Sequence, residues 1–279
     1  MNVVLLTGAS QGIGLATAEH LGRAGYKVYA TCRDPEKAKD LKALAQEVSN
    51  ITILNLDVTS KLSVKTAIDH VMNKEGAIDV VINNAGFGIY GPAETQSLKE
   101  IKHVFNTNLF GVIRVTHKVA PIMRNQMQGR IINIGSISGA IPSKNMPIYS
   151  CSKAALESLT ATYAYHFAKW GILMALVQPG PVVTSFEPRT DFGKRFKCLE
   201  KNPYADVLNQ DRAVWKKMMD GGQTPLEVAK IIQEIIESPQ PQLWNPTSQA
   251  VKDAFSKQYT DITGAIRIPQ RAQPIQSKL

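Results

Sequence analysis

Short, nearly continuous apolar runs alternate along the chain with longer stretches in which apolar residues recur every three or four positions. The runs Val3–Thr7, Lys27–Thr31, Ile51–Leu56, Asp79–Asn83, Arg130–Ile134 and Leu173–Gln178 have the length and the two-sided hydrophobicity of strands covered on both faces. Between them, Gly12–Ala24, Pro35–Val48, Lys61–Asn73, Leu98–Arg124 and Pro147–Trp170 carry the helical period. Strict alternation of strand and helix predicts an α/β fold. It is a doubly wound parallel sheet of about seven strands in three layers, with right-handed crossovers. One domain over residues 1–260 is expected.

The rhythm changes after Gln178. Residues 185–224 mix Phe186, Phe192, Phe196, Tyr204, Trp215, Met218 and Met219 with many charges. That is too long for a plain connection, and short helices with a function are expected there. Thr224 as cap and Pro225 at the first helical position announce another helix. A short run at Gln242–Trp244 is a candidate last strand. Residues 261–279 hold few apolar groups and read as a loosely ordered C-terminal tail.

Composition narrows the function classes. The 279 residues are 44% hydrophobic and 20% charged, ordinary for a globular chain with a large core. No apolar window approaches the length of a membrane span. The opening Met1-Asn2 and the short Val3–Leu6 run lack the features of a signal peptide, so no integral membrane segment and a cytoplasmic setting are expected. Cys32, Cys151 and Cys198 are scattered, and His20, His70, His103, His117 and His166 lack ligand spacing, so no metal is expected. The formal charge of +9 lacks a dense Lys/Arg cluster, which argues against nucleic acid and suits an anionic small molecule.

The first strand-to-helix junction is Thr7-Gly8-Ala9-Ser10-Gln11-Gly12-Ile13-Gly14. Glycines there let the backbone approach a ligand, and the helix N-terminus offers free N–H groups to a phosphate. Such a junction points to a dinucleotide. NAD sites place an acid near the end of the second strand. Here that strand ends in Cys32-Arg33-Asp34, so an arginine follows the place where the acid would stand. A 2′-phosphate suits the arginine fork, which favours NADP(H) over NAD. Asp34 reads as a cap ahead of Pro35.

Tyr149-Ser150-Cys151-Ser152-Lys153 sets a tyrosine and a lysine four apart, on one helix face. A neighbouring ammonium lowers a phenol's pKa toward a useful range for proton transfer. Ser136 lies just beyond the strand Arg130–Ile134, where open α/β sheets bind ligands, with Ser138 as its competitor. Asn83-Asn84-Ala85-Gly86 ends the fourth strand, and Asn108 lies in a long helical pattern, either on its surface or holding a water and a backbone carbonyl.

Thr7-Gly8-x3-Gly12-x-Gly14, Asp57, Asn83-Asn84-Ala85-Gly86, Asn108, Ser136, Tyr149, Lys153 and Pro179-Gly180 occur in one order and spacing. From about residue 2 to 237 the chain resembles the short-chain dehydrogenase/reductase family. The wording of 84–94 and 179–186 resembles its 17β-hydroxysteroid and retinol dehydrogenase-like branch. The resemblance implies a Rossmann-type fold and hydride transfer between a nicotinamide and an alcohol or ketone. It implies that Gly8, Ser10, Gln11, Gly12, Ile13 and Gly14 line the phosphates and that Arg33 serves a 2′-phosphate. Asp57 and Val58 would meet the adenine, and Asn84, Ala85 and Gly86 would run along the ribose. Pro179, Gly180, Val182 and Thr184 would hold the nicotinamide end. Ser136 would orient the carbonyl, Tyr149 would move the proton, Lys153 would bind the ribose and depress the tyrosine pKa, and Asn108 would hold a relay water.

The apolar residues of 185–224 read as simple packing or, next to the nicotinamide end and preferred, as a substrate-binding lid over a bulky hydrophobic carbonyl or alcohol. By the same resemblance, the helices near 98–124 and 147–170 pair subunits into a homodimer or homotetramer. A 3-oxoacyl thioester reductase acting on an acyl carrier protein is a second reading. A non-catalytic dinucleotide-sensing protein is a third, disfavoured because serine, tyrosine and lysine are all present.

Overall fold

The computed structural model describes residues 2–184, 204 and 217–260. Its strands are β1 (Val3–Thr7), β2 (Lys27–Cys32), β3 (Ile51–Asn55), β4 (Val80–Asn83), β5 (Gly129–Ile134), β6 (Ile172–Gln178) and β7 (Trp244–Pro246). All pair in parallel, in the order β3-β2-β1-β4-β5-β6-β7. The helices are α1 (Gly12–Arg23), α2 (Lys39–Glu47), α3 (Lys61–Glu75), α4 (Leu98–Asn108), α5 (Phe110–Gln126), α6 (Ile137–Ala140), α7 (Pro147–Phe167), α8 (Pro225–Glu237) and α9 (Gln249–Thr260).

The pleat of β1 explains the three layers. Val4 and Leu6 join a buried cluster with Leu21 of α1, Leu41 of α2 and Ile232 of α8. Val3 and Leu5 face the other way, into a cluster with Ile68 of α3, Val119 of α5 and Phe167 of α7. A strand covered on both faces has no polar alternation, which is why the apolar runs predicted it.

Several boundaries shift from the sequence pattern by one to three residues, and three differences have a visible local cause. The stretch Leu98–Arg124 is two helices, broken at Leu109 with φ −117° and ψ −60°. The break has a cause in side chains: Asn108 turns inward to a distant loop, and Arg114 donates to the Asn106 carbonyl at 3.2 Å. The stretch from Pro35 opens as a 3₁₀ turn, capped by Asp34 as expected, and the α-helix begins only at Lys39. The last strand is Trp244–Pro246 rather than Gln242–Trp244, registered by pairing Leu176 with Trp244. Thr224 and Glu227 form the capping box that opens α8. Among the described residues no helix is long and apolar enough to cross a membrane.

Candidate active site

The sheet order reverses direction between β1 and β4, and a cleft of about 710 Å³ opens at the carboxyl ends of the strands there. Open α/β sheets bind ligands at such a switch point. Its floor is the β1–α1 junction. Gly8 has φ +69°, and a Cβ there would lie 2.7 Å from the Ala85 Cα; a Cβ on Gly14 would lie 2.3 Å from the Gly8 carbonyl oxygen. No side chain fits at either position, so the turn is closed tightly and the α1 N-terminus stays bare. Gln11 caps that helix without a side-chain bond, so its first amides face the cleft unblocked.

The floor is joined to β4 by the hydroxyl of Thr7, a residue to which the motif assigns no role. Thr7 Oγ1 accepts the backbone N–H groups of Asn84 and Ala85, at 3.0 and 3.1 Å. The Asn84 amide in turn donates to the Thr7 and Gly8 carbonyls at 3.1 and 2.8 Å. Asn84 lines the cleft, but its side chain holds the glycine turn in place.

The cleft gathers Gly8, Ser10, Gln11, Gly12, Ile13, Arg33, Asp57, Val58, Asn84, Ala85, Gly86, Ser136, Tyr149, Lys153, Pro179, Gly180, Val182 and Thr184. Two anticipated residues stand outside its lining. Gly14 acts from behind, through the contact with Gly8. Asn108 is buried, and its Oδ1 accepts the Phe87 N–H at 3.0 Å. Its Nδ2 donates to the Phe87 carbonyl at 2.9 Å and to Ser152 Oγ at 3.0 Å. These bonds clamp the loop after β4 onto α7. Ser152 completes the clamp by donating to the Tyr149 carbonyl at 2.7 Å.

At the Tyr149 end, Ser136 caps α6 by accepting the Ser138 N–H at 3.0 Å, and its hydroxyl is hydrogen-bonded to Tyr149. That separates the two serines, since Ser136 is the one bound to the phenol. Lys153 is 5% exposed; its Nζ donates to the Ile134 carbonyl at 2.6 Å and lies 5.5 Å from the centre of the Tyr149 ring. Burial pushes the Tyr149 phenol up to about 12, with the Ser136 hydroxyl pulling the other way. Burial also draws Lys153 down to about 8. Burial and the Ser136 hydroxyl are the two causes that act on the phenol here. A phenol so held keeps its proton at neutral pH.

The remaining walls are mostly apolar, with Phe87, Ile141, Met146, Met218 and Met219 among them. Gly88 gives way to that wall: a Cβ there would meet the Met146 Cε at 2.3 Å and the Tyr149 ring at 3.4 Å. Of residues 185–224, positions 185–203 and 205–216 lie outside the described residues, as does the tail 261–279. The described ends of the 185–224 stretch return to one place. Val182 bridges to Gln223, and Val183 N–H donates to the Gln223 carbonyl at 2.8 Å.

At the other end, Arg33 is exposed and lines the cleft beside the buried Cys32, whose thiol burial pushes up. Asp34 is held by Lys37 at 2.8 Å and by the Glu36 N–H it caps, and these bonds keep its carboxylate below the usual range.

Comparison with known proteins agrees with this geometry. The family model for short chain dehydrogenase matches residues 2–191. The 3-ketodihydrosphingosine reductase of Bacteroides thetaiotaomicron is 32% identical over 91% of both chains. Retinol dehydrogenase 8 of Bos taurus is 33% identical over 95% of this chain and 87% of its own. A crystal structure of a short chain dehydrogenase/reductase from Burkholderia phymatum in complex with NAD superposes with a TM-score of 0.82 at 27% identity, covering 97% of both chains. With its parallel seven-stranded sheet and these matches, the chain is an oxidoreductase of the short chain dehydrogenase family, on the hydroxysteroid and retinol dehydrogenase-like branch.

Proposed function

We propose that the protein is an NADP(H)-dependent reductase or dehydrogenase for a bulky apolar ketone or alcohol, with Tyr149 as the proton-transfer residue. The observation that carries this reading is the Ser136–Tyr149 hydrogen bond beside the buried Lys153, at the end of a cleft whose floor only glycine can form.

The floor fits a dinucleotide. Gly8, Gly12 and Ile13 leave room for phosphates at the α1 N-terminus, and Asp57 and Val58 lie where an adenine would rest. The Asp57 carboxylate is held in place by Thr59, whose N–H and hydroxyl it accepts at 2.8 and 2.7 Å. Arg33 supports the choice of NADP(H). Its guanidinium stands at the rim, and its acidic neighbour is already engaged by Lys37. A bound nicotinamide supplies the hydride.

Ser136 holds the substrate oxygen next to Tyr149, and Tyr149 donates its proton to that oxygen during reduction. Lys153, tied to the β5 end, grips the nicotinamide ribose and keeps positive charge near the phenol. Asn108 and Ser152 position this machinery. The apolar wall, and the chain's return to it at Met218 and Met219, support a large hydrophobic substrate under a lid, in keeping with relatives named for retinol and 3-ketodihydrosphingosine.

The test is a carbonyl panel followed by loss of reduced-nicotinamide absorbance, with steroid ketones and retinoid aldehydes set against acetoacetyl thioesters. Turnover of the first group with NADPH is expected. Turnover confined to thioesters, or NADPH binding with no turnover across the panel, would overturn the assignment.

A further inference from the structure

Two turns beyond Tyr149 on the same helix stands a carboxylate that this chemistry does not use. Glu157 is partly buried in α7, on the face shared by Tyr149 and Lys153. No cation lies within ion-pair distance of it among the described residues. Burying a carboxyl without a cation is unfavourable, and burial does hold this one above its ordinary range.

The surroundings of Glu157 define what it holds. Gln178, the last residue of β6 and 2% exposed, donates its Nε2 to Glu157 Oε1 at 2.7 Å. The residues after Gln178 are Pro179 and Gly180, in the cleft wall. On its other side Glu157 presses against the turn that follows Ser136: a Cβ on Gly139 would lie 2.7 Å from the same Oε1. Two backbone bonds already tie these segments together, from the Gly135 N–H to the Val177 carbonyl at 2.7 Å and from the Ile137 N–H to the Pro179 carbonyl at 2.8 Å. Gln178 lies between the two acceptors. The helix α9 closes the outside, with Val251 against Gly180 and with Tyr259, whose phenol is raised by burial and further by the nearby Glu157 charge.

We propose that Glu157 is a positioning residue for hydride transfer: through Gln178 and the Gly139 turn it fixes the corner where the Ser136 loop meets the Pro179–Gly180 turn. One of these segments holds the substrate oxygen and the other the nicotinamide end, so their separation sets the distance hydride must travel. The inference rests on the function proposed above. A misplacement of about 1 Å in such a constellation lowers rate far more than it lowers binding.

The experiment compares Glu157→Ala, Glu157→Gln, Gln178→Ala and the Glu157→Ala/Gln178→Ala double variant. Glu157→Ala is expected to lower kcat roughly tenfold or more, with the KM for NADPH changed less than about threefold. Glu157→Gln, which keeps an oxygen for Gln178, is expected to recover most of the rate. The double variant is expected to be no slower than Glu157→Ala, as for two residues acting as one unit. Each protein is also followed by amide hydrogen exchange, which needs no turnover. Faster exchange at Ile137 and Gly139 is expected in Glu157→Ala, with thermal midpoint and NADPH fluorescence close to the parent. Parent-like kcat, no recovery by glutamine, additive losses, or unchanged exchange at those two amides would each overturn the role. A parent inactive on every carbonyl sinks the proposed function instead, and the exchange result still decides for or against the corner.

Discussion

At one end of the cleft the working parts are backbone: bare amides at the start of α1, held open because no Cβ fits on Gly8 or Gly14. At the other end they are side chains, each anchored to something far away in sequence. Lys153 reaches the Ile134 carbonyl, Ser136 reaches Tyr149, and Asn108 reaches Phe87. The first end tolerates nothing added, while the second tolerates nothing removed. Steric exclusion governs one and desolvation the other, so the two fail in different ways.

The sharpest break should come at the side-chain end. Tyr149→Phe removes the proposed proton donor and leaves the cradle intact, so kcat should fall by about 10³-fold or more while NADPH affinity stays within about threefold. A variant with most of its rate left would end the assignment of Tyr149. At the backbone end, Gly12→Val combines a strained φ of +58° with a side chain 3.3 Å from Thr184, so NADPH should bind roughly 100-fold more weakly by fluorescence titration. Parent-like affinity would mean that the phosphates lie elsewhere.

The third test reads desolvation directly. Lys153 titrates near 8 in the folded protein and near its ordinary value when unfolded. Below pH 8 it is charged in both states, and the unfavourable burial of the ammonium is fully felt. As pH rises from 8 toward 10.5, the folded protein gives up the proton first and the handicap fades. Denaturant melts of the parent should therefore gain on Lys153→Met by about 2 kcal/mol between pH 8 and 9.5. A constant difference across that window would remove the buried-ammonium account. The smallest effect is expected at the rim. Arg33→Ala should raise the KM for NADPH about tenfold and leave that for NADH nearly unchanged. Equal effects on both would remove the argument for the 2′-phosphate.

How much of this could be read from residues alone follows the same division. The backbone end was legible, because a glycine needed for close approach is a glycine in any context and sits beside a two-sided apolar run. Tyr149 and Lys153 were legible as a pair, since four residues along a helix share a face. The burial that raises the phenol and lowers the amine was not, because it appears only in three dimensions. The break at Leu109 escaped for a like reason. The 98–124 pattern keeps its helical period throughout, and what interrupts it is an amide clasping a backbone 21 positions away. Thr7 looked like the end of a strand; its second use, gripping Asn84 and Ala85, depends on β1 lying beside β4.

That adjacency also bears on how the chain is made. β1 borders β2, which follows it closely, and β4, whose residues lie 76 positions further on in register, as Val4 does from Val80. During synthesis one flank of β1 stays without its neighbour until the ribosome has passed Asn83, a long interval for an apolar strand with unmatched amides. Of the strand pairings in the sheet this one spans the most chain, so the ligand floor waits longest for its partner, and that interval is the moment when a chaperone has most to protect.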